Sequence, residues 1–275
     1  MTKDLEREVA RHYGRAGLKE RILAAIATAG LDVNRLKADD LAPVDEFHTG
    51  GRLETVHVLG KIKFGRGNRV LDVGCGLGGA ARFVAEKFGC HVTGIDLTPE
   101  YIELATFLSE KTGLADRTEF KTASALEMPF SDAAFDGAIT FHVAMNIKDR
   151  AGLYREIARV LKPGATLCIY DVMKGPDDGV RFPVPWAESV ENSHLTSAAE
   201  MQELLHNAGF RVTESESRVK FAIDFFRERL ASTAPAPALG LHLLTGQNAK
   251  EKFVNYLHNV EHDCVAPTVM IAKRG

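Results

Sequence analysis

The chain has 275 residues, of which 45% are hydrophobic and 26% charged, and its formal net charge is -3. Such a composition is typical of a globular protein with room for one α/β domain and a modest accessory region. The acidic balance disfavours a nucleic acid or an anionic membrane as partner, and no apolar run has the length of a membrane-spanning helix. The four cysteines are widely spaced, as in reduced proteins. We expect a cytoplasmic protein with no nucleic-acid or membrane partner, either a monomer or a homodimer.

Helical patterns predominate in the first part of the chain. Residues 3–29 carry an apolar helical pattern that is broken by glycines, and a second helix is predicted over 53–62. The segment between them is less regular and finishes in the polar, turn-forming stretch DEFHTGG. These patterns predict an N-terminal helical cap at residues 1–65.

From Arg69 onward, short apolar runs alternate with amphipathic segments. The predicted strands are NRVLDVG, HVTGIDL, RTEFKTA, FDGAITF and ATLCIYDV, with helices between them. Lys162-Pro163-Gly164 is a strong stop signal for the helix before the fifth strand. This alternation predicts an α/β fold with a mostly parallel sheet and helices on both faces.

The tail departs from this alternation. Residues 174–195 are rich in glycine and proline and are predicted to form a long loop, followed by a helix and another strand. Residues 219–262 are mostly helical in pattern, and VAPTVMIAKR is predicted to be an antiparallel closing strand. We therefore expect a core at 66–218, a helical lid at 219–262 and the closing strand of the core at 263–275.

A glycine-rich loop follows the first predicted strand. Gly74, Gly76 and Gly79 match the dinucleotide pattern GxGxxG, whereas Asp72, Gly74, Gly76 and Gly78 match a DxGxGxG pattern. In both patterns the glycines let the backbone approach a ligand. Asp96 ends the second strand, where a carboxylate accepts hydrogen bonds from both ribose hydroxyls. The loop and Asp96 thus indicate an adenosine-type ligand without distinguishing a nicotinamide enzyme from other classes.

Four ordered motifs across residues 66–172 make that distinction. VLDVGCGLGGAARFVAE, GIDLTPEYIELA, ASALEMPFSDAAFDGAITFHV and EIARVLKPGATLCIYDV resemble the successive motifs of the class I S-adenosylmethionine (SAM)-dependent methyltransferases. The flanking DEFHTGG, FPVPWAES and PALGLHLLTG resemble the bacterial sarcosine and dimethylglycine type. The resemblance implies a Rossmann-like sheet, SAM as cofactor and S-adenosylhomocysteine (SAH) as product. A nicotinamide dehydrogenase is the alternative if the glycine loop is misread.

The resemblance also implies roles for individual positions. The three loop glycines would pack against the methionine part of SAM, Asp72 would order the loop, and Asp96 would hold the ribose. The adenine would lie among residues that follow the second and third strands: Leu97, Ser124, Ala125 and Leu126. Many family members have an aspartate in place of Ser124. Thr49 and Gly50 are expected to close over SAM, and His142 to lie beside its sulfonium.

Several side chains are candidates for the acceptor side. His142, just after the fourth strand, is the candidate general base, although it could equally be a structural histidine. Asn146 could orient the acceptor or cap a helix. Trp186 with Glu188 would suit a cationic amine, unless the tryptophan only anchors its loop. His48 and Tyr13 complete the set of candidate substrate-binding residues.

We therefore expect methyl transfer to a small-molecule acceptor, either an amine nitrogen or a hydroxyl. One alternative is a C-methyltransferase with an apolar pocket lined by Phe182, Trp186 and Phe225; another is a protein that binds SAM without transferring its methyl group. A nucleic-acid methyltransferase is disfavoured because the chain lacks an NPPY-like motif. His258 and His262 have helical spacing but are more typical of a helix surface than of a metal site, and no metal is expected.

Overall fold

A computed structural model of the protein describes residues 17–234, 237–245 and 248–275. Its strands are β1 (Arg69–Val73), β2 (His91–Asp96), β3 (Thr118–Thr122), β4 (Phe135–Phe141), β5 (Leu161–Lys174), β6 (Phe210–Ser217) and β7 (Val265–Arg274). Its helices are α1 (Leu18–Thr28), α2 (Ala38–Asp45), α3 (Arg52–Gly60), α4 (Gly79–Phe88), α5 (Pro99–Lys111), α6 (Arg150–Val160), α7 (Ala198–Asn207), α8 (Val219–Ala231), α9 (His242–Thr245) and α10 (Ala249–Glu261). No helix in these ranges is long and apolar enough to cross a membrane.

The described strands form one seven-stranded sheet in the order β3-β2-β1-β4-β5-β7-β6. The first five strands in this order are mutually parallel, and β7 runs antiparallel to both β5 and β6. The predicted fold class, a mostly parallel sheet with an antiparallel closing strand, is confirmed. The strand order reverses between β1 and β4, and ligands of open α/β sheets bind at the carboxyl ends of the strands beside such a reversal.

Strand β1 shows why the sequence produces this layering. Four of its five residues are buried, because helices cover both faces of the sheet. Val70 packs on one face with Val84 of α4, and Leu71 packs on the other with Leu153 of α6. The alternation of consecutive side chains between the two faces fixes the direction in which the loop after β1 leaves the sheet.

Two local features differ from the sequence-based prediction. Residues 38–45 form α2, within a segment expected to be irregular. Strand β5 begins at Leu161 rather than Ala165, so the Pro163-Gly164 pair lies inside it. The segment predicted to be a helical lid contains α8, α9 and α10, and α8 and α10 pack on each other through Phe226, Phe253 and Tyr256. The pattern over residues 3–16, and with it Tyr13, lies outside the described residues.

Candidate active site

A cavity opens at the carboxyl ends of β1, β2 and β4 and encloses about 1250 Å³ when the solvent space at its mouth is included. One side is built from the segments that directly follow the parallel strands, at 72–77, 95–98, 123–126 and 141–147. The other side comes from residues 44–48 at the end of α2 and from residues 185–186. The cavity therefore lies at the reversal of strand order, where the fold predicts a ligand site.

Gly76 and Gly78, in the loop after β1, have different structural roles. Gly76 lines the cavity with φ +51°, and a Cβ built there meets no atom within 4 Å, so a side chain would occupy only cavity space. Gly78 does not line the cavity. With φ +79° it begins α4, and a Cβ would lie 2.7 Å from the Phe120 ring. Gly76 thus keeps room for a ligand, whereas Gly78 allows the loop to pack on the sheet.

Asp96 holds the glycine loop and faces the cavity. Its Oδ2 accepts a hydrogen bond from the Gly76 amide at 3.1 Å, and its Oδ1 accepts one from the Thr98 amide at 2.9 Å. Burial raises the pKa of Asp96, and these backbone donors oppose that shift. Each carboxylate oxygen has a second lone pair, so Asp96 is suited to receive a ribose diol.

Asp72 presents an unsatisfied carboxylate to the same cavity. It is buried, and its Oδ2 has no hydrogen-bond partner among the described residues. Burial, followed by the charges of Glu46 and Asp96, raises its pKa to about 8. A buried carboxylate with one oxygen unpaired favours a cationic ligand group that can donate a hydrogen bond to it.

The charges around the cavity separate the two candidate cofactors. Its described lining includes Asp45, Glu46, Asp72 and Asp96 but no lysine or arginine. Asp45 and Glu46 are paired with Arg82 and Arg52, but no lysine or arginine of the described lining could hold the pyrophosphate of a dinucleotide. SAM carries an ammonium and a sulfonium, so the residues present fit SAM and disfavour NAD.

The residues expected around the adenine lie together at one end of the cavity. Leu97, Ser124, Ala125 and Leu126 all line it. Ser124 Oγ accepts a hydrogen bond from the Leu126 amide at 3.1 Å, which holds the turn after β3 closed. Serine therefore shapes this wall, where an aspartate is common in the family.

His142 occupies an unusual backbone position directly after β4. Its φ is +54°, and its amide donates to the Tyr170 carbonyl at 2.7 Å. The ring lines the cavity, and its Nε2 is shielded from solvent with no hydrogen-bond partner in the described part of the chain. Burial and then the charge of His48 lower the pKa of His142 well below its usual value. The ring is therefore neutral at pH 7 and can accept a proton.

His48 lines the cavity next to His142 and is held by Glu46, a residue that the sequence analysis missed. The distance from His48 Nε2 to Glu46 Oε2 is 2.8 Å, and Thr55 Oγ1 donates to the same oxygen at 2.6 Å. Burial raises the pKa of Glu46, but the hydrogen bond with His48 and the charges of His48 and Arg52 hold it below its usual value. The resemblance of DEFHTGG to a known family pointed to this segment, but the sequence did not indicate that Glu46 is buried.

Asn146 and Trp186 also line the cavity. Asn146 ends a 3-10 turn at Ala144–Asn146, and the cap of α6 is Asp149, whose side chain accepts from the Gly152 amide. Trp186 is buried, and its Nε1 donates to Ser193 Oγ at 3.0 Å. The tryptophan therefore anchors the 174–195 loop while it also faces the cavity.

Three other candidates lie away from the cavity. Thr49 is buried behind it, where Oγ1 bonds to the Tyr256 hydroxyl at 2.8 Å. A Cβ at Gly50 would collide with the side chains of Glu54 and Phe221, so this glycine serves a close packing contact. Glu188 pairs with the ammonium of buried Lys252 at 2.5 Å. These positions support the walls rather than face a ligand.

The structure also locates the residues on which the alternative functions and the possible metal site depend. Phe182 and Phe225 do not line the cavity but pack in the apolar cluster around Trp186. His262 Nδ1 contacts the His258 carbonyl at 2.8 Å, and the two rings pack together. In the described ranges no group of three acidic, histidine or cysteine side chains is arranged to hold a metal.

The sheet order and the acid-lined cavity at its reversal point together define a nucleoside-binding protein of the class I methyltransferase type. Comparison with known proteins agrees. A methyltransferase domain model matches residues 71–169. An O-methyltransferase from Aspergillus nomiae is 38% identical over 152 residues, which are 54% of this chain and 67% of that protein. The chain belongs to the methyltransferase domain family, as its motifs predict.

Solved structures show the same fold. A protein from Galdieria sulphuraria assigned as a sarcosine dimethylglycine methyltransferase is 24% identical, with a TM-score of 0.62 over 80% of this chain and 82% of that chain. Geranyl diphosphate C-methyltransferase from Streptomyces coelicolor, in complex with Mg²⁺, geranyl diphosphate and SAH, is 16% identical. Its TM-score is 0.73 over 100% of this chain and 99% of that chain. The chain spans about two thirds of the length of the curated O-methyltransferases that it matches, between 61% and 67%.

Proposed function

We propose that this protein is a SAM-dependent methyltransferase that acts on a small-molecule acceptor, at an amine nitrogen or a hydroxyl. The observation that carries the proposal is the buried Asp72 carboxylate, which lines the cavity and whose Oδ2 has no hydrogen-bond partner in the described chain. It is suited to the ammonium of SAM, and Asp96 is suited to the ribose. Gly74, Gly76 and the 124–126 turn supply the remaining walls of the cofactor end.

When bound, SAM supplies an activated methyl group on its sulfonium. The protein then has to position the acceptor, exclude water and take up a proton. We assign the last task to His142, because it lines the cavity, its Nε2 has no hydrogen-bond partner in the described chain, and its ring is neutral at pH 7. Asn146, His48 and Trp186 would orient the acceptor. The division of the chain into an N-terminal cap, a SAM-binding core and a helical lid is also part of this proposal.

The acceptor end favours a molecule without a strong anion. No lysine or arginine of the described chain lines it, and its apolar lining includes Met145, Pro185 and Leu244. An apolar acceptor methylated at carbon is the second candidate, supported by this apolar lining. The acid-lined cofactor end by itself is also compatible with a SAM-binding protein that transfers nothing, so turnover is the deciding property.

The experiment is transfer of a labelled methyl group from SAM to a panel of amines, phenols and prenyl compounds, with Asp96→Ala and His142→Gln as variants. We expect labelled product with one acceptor class and loss of activity in Asp96→Ala. For an amine or hydroxyl acceptor, His142→Gln should lower kcat by about 10²-fold or more, the usual contribution of a positioned base. SAM binding with no labelled product from any class would favour the non-catalytic alternative.

A further inference from the structure

The polar groups around His48 determine how its ring can hydrogen-bond. Nε2 lies 2.8 Å from Glu46 Oε2 and 3.0 Å from Thr55 Oγ1, whose own proton goes to Glu46. Nδ1 lies 3.3 Å from the Thr49 carbonyl oxygen. Both ring nitrogens therefore face acceptors, an arrangement that a ring with N–H groups on both sides satisfies.

The other carboxylate oxygen of Glu46 is paired with an arginine. Its side chain has no solvent exposure, and its Oε1 lies 3.0 Å from Arg52 Nη1. The carboxylate is thus shared between Arg52 and His48. Arg52 offsets much of the negative charge of Glu46, so a protonated His48 acts on its neighbours as a positive charge.

His142 is the neighbour that this charge reaches. The centroids of the two imidazole rings are 6.0 Å apart. The other titratable ring against His142 is Tyr170, at 4.9 Å, and burial raises the pKa of Tyr170 well above its usual value, so that the phenol stays neutral. Of the two rings named here that pack on His142, His48 is therefore the one that can carry a positive charge.

We propose that Glu46 is a positioning residue that holds His48 as an imidazolium, and that this charge acts together with burial to keep His142 unprotonated until the acceptor releases its proton. The inference rests on the proposed function for the meaning of that proton transfer. The charge states of His48 and His142 are independent of the proposed function, because they exist without acceptor or cofactor. Glu46 lines the cavity, and in this assignment it acts on His142 through His48.

The test is ¹H–¹⁵N NMR of the imidazole rings from pH 8.5 down to the lowest pH at which the protein stays folded, recorded on the ligand-free protein and again with SAH. In the wild type we expect His48 to show the imidazolium signature at pH 6 and His142 to remain neutral. In His48→Gln, His142 should begin to protonate at a pH higher by about one unit, the size expected when a charge about 6 Å away is removed. In Glu46→Gln, the His48 signals should move toward those of a neutral ring.

The control is His57→Gln, the same substitution on α3 at a half-exposed ring that pairs with Glu216. It should leave the His142 titration unchanged. If Glu46→Gln fails to fold, His48→Gln decides by itself. Equal titration of His142 in wild type and His48→Gln, or a neutral His48 at pH 6 in the wild type, overturns the proposal. Either result leaves SAM binding untouched, so this failure is distinct from a failure of the proposed function.

Discussion

The two ends of the cavity are built in different ways. The cofactor end comes from short segments that directly follow β1, β2 and β3, so that Asp72, Gly76 and Asp96 are placed by the parallel sheet itself. The acceptor end collects His48, His142 and Trp186 from three distant parts of the chain, and only His142 directly follows a strand. One end is fixed by strand register, whereas the other depends on tertiary packing.

The largest effect is expected where the N-terminal region is attached to the glycine loop. Arg82 is fully buried, and its Nη2 donates to Asp45 Oδ2 and to the Leu77 carbonyl, both at 2.6 Å. Arg82→Met should lower the free energy of unfolding by about 3–5 kcal/mol, because it leaves a buried carboxylate without its counter-ion. Urea unfolding measures this loss. Lys220→Met, which breaks an exposed pair with Asp224, is the control and should change nothing measurable.

The next prediction concerns the space that Gly76 leaves open. Gly76→Ala should weaken SAM binding by about tenfold or more, equivalent to about 1.4 kcal/mol, because the new methyl group enters cavity space. Gly113→Ala is the matched control, since Gly113 also has a positive φ and no atom within 4 Å but lies away from the cavity. Calorimetry on both variants separates the two effects. Equal SAM affinities would show that Gly76 does not face the cofactor.

The raised pKa of Asp72 leads to a prediction about the number of protons released when SAM binds. With a pKa of about 8, this carboxyl is mostly protonated in the free protein at pH 7. An ammonium bound beside it stabilises the carboxylate, so SAM binding should release close to one proton. Calorimetry at pH 7 in buffers of different ionisation enthalpy measures that release. Asp72→Asn should abolish it, and an unchanged proton release in this variant would place the ammonium elsewhere.

The smallest effect is expected in the 174–195 loop at the acceptor end. The hydrogen bond from Trp186 to Ser193 should contribute about 1 kcal/mol to the free energy of unfolding. A double-mutant cycle of Trp186→Phe and Ser193→Ala isolates this bond from the packing of the ring. A coupling energy near zero would mean that packing, for example against Tyr256, anchors the loop without it.

The difference between the two ends also explains what the sequence could predict. The run from Arg69 to Val172 contains both the strands and the residues that follow them, so the sheet and the cofactor side were accessible from pattern. Helix α2 was missed because it lacks the usual signals. Its N-cap is Lys37, whose amide is satisfied by the Asp40 carboxylate, and Pro43 lies inside the helix.

The acceptor end was harder because its partners are remote in sequence. From sequence alone, Glu188 is a candidate to bind a cationic amine, but in the structure it pairs with Lys252, which lies far along the chain. Likewise Glu46 gains its role only when Thr55, Arg52 and His48 fold around it. Charge pairs of this kind are set by tertiary packing, and no local pattern reports them.

The central claim is that the cavity at the β1–β4 reversal binds SAM, and calorimetry tests it most directly. We predict that SAM and SAH bind at micromolar strength, that NAD does not bind, and that Asp96→Ala weakens SAM binding by about 1–3 kcal/mol, the loss expected for charge-assisted hydrogen bonds. Binding of NAD without SAM would contradict the account and leave only the fold. Unchanged SAM affinity in Asp96→Ala would show that the ribose does not lie at the end of β2.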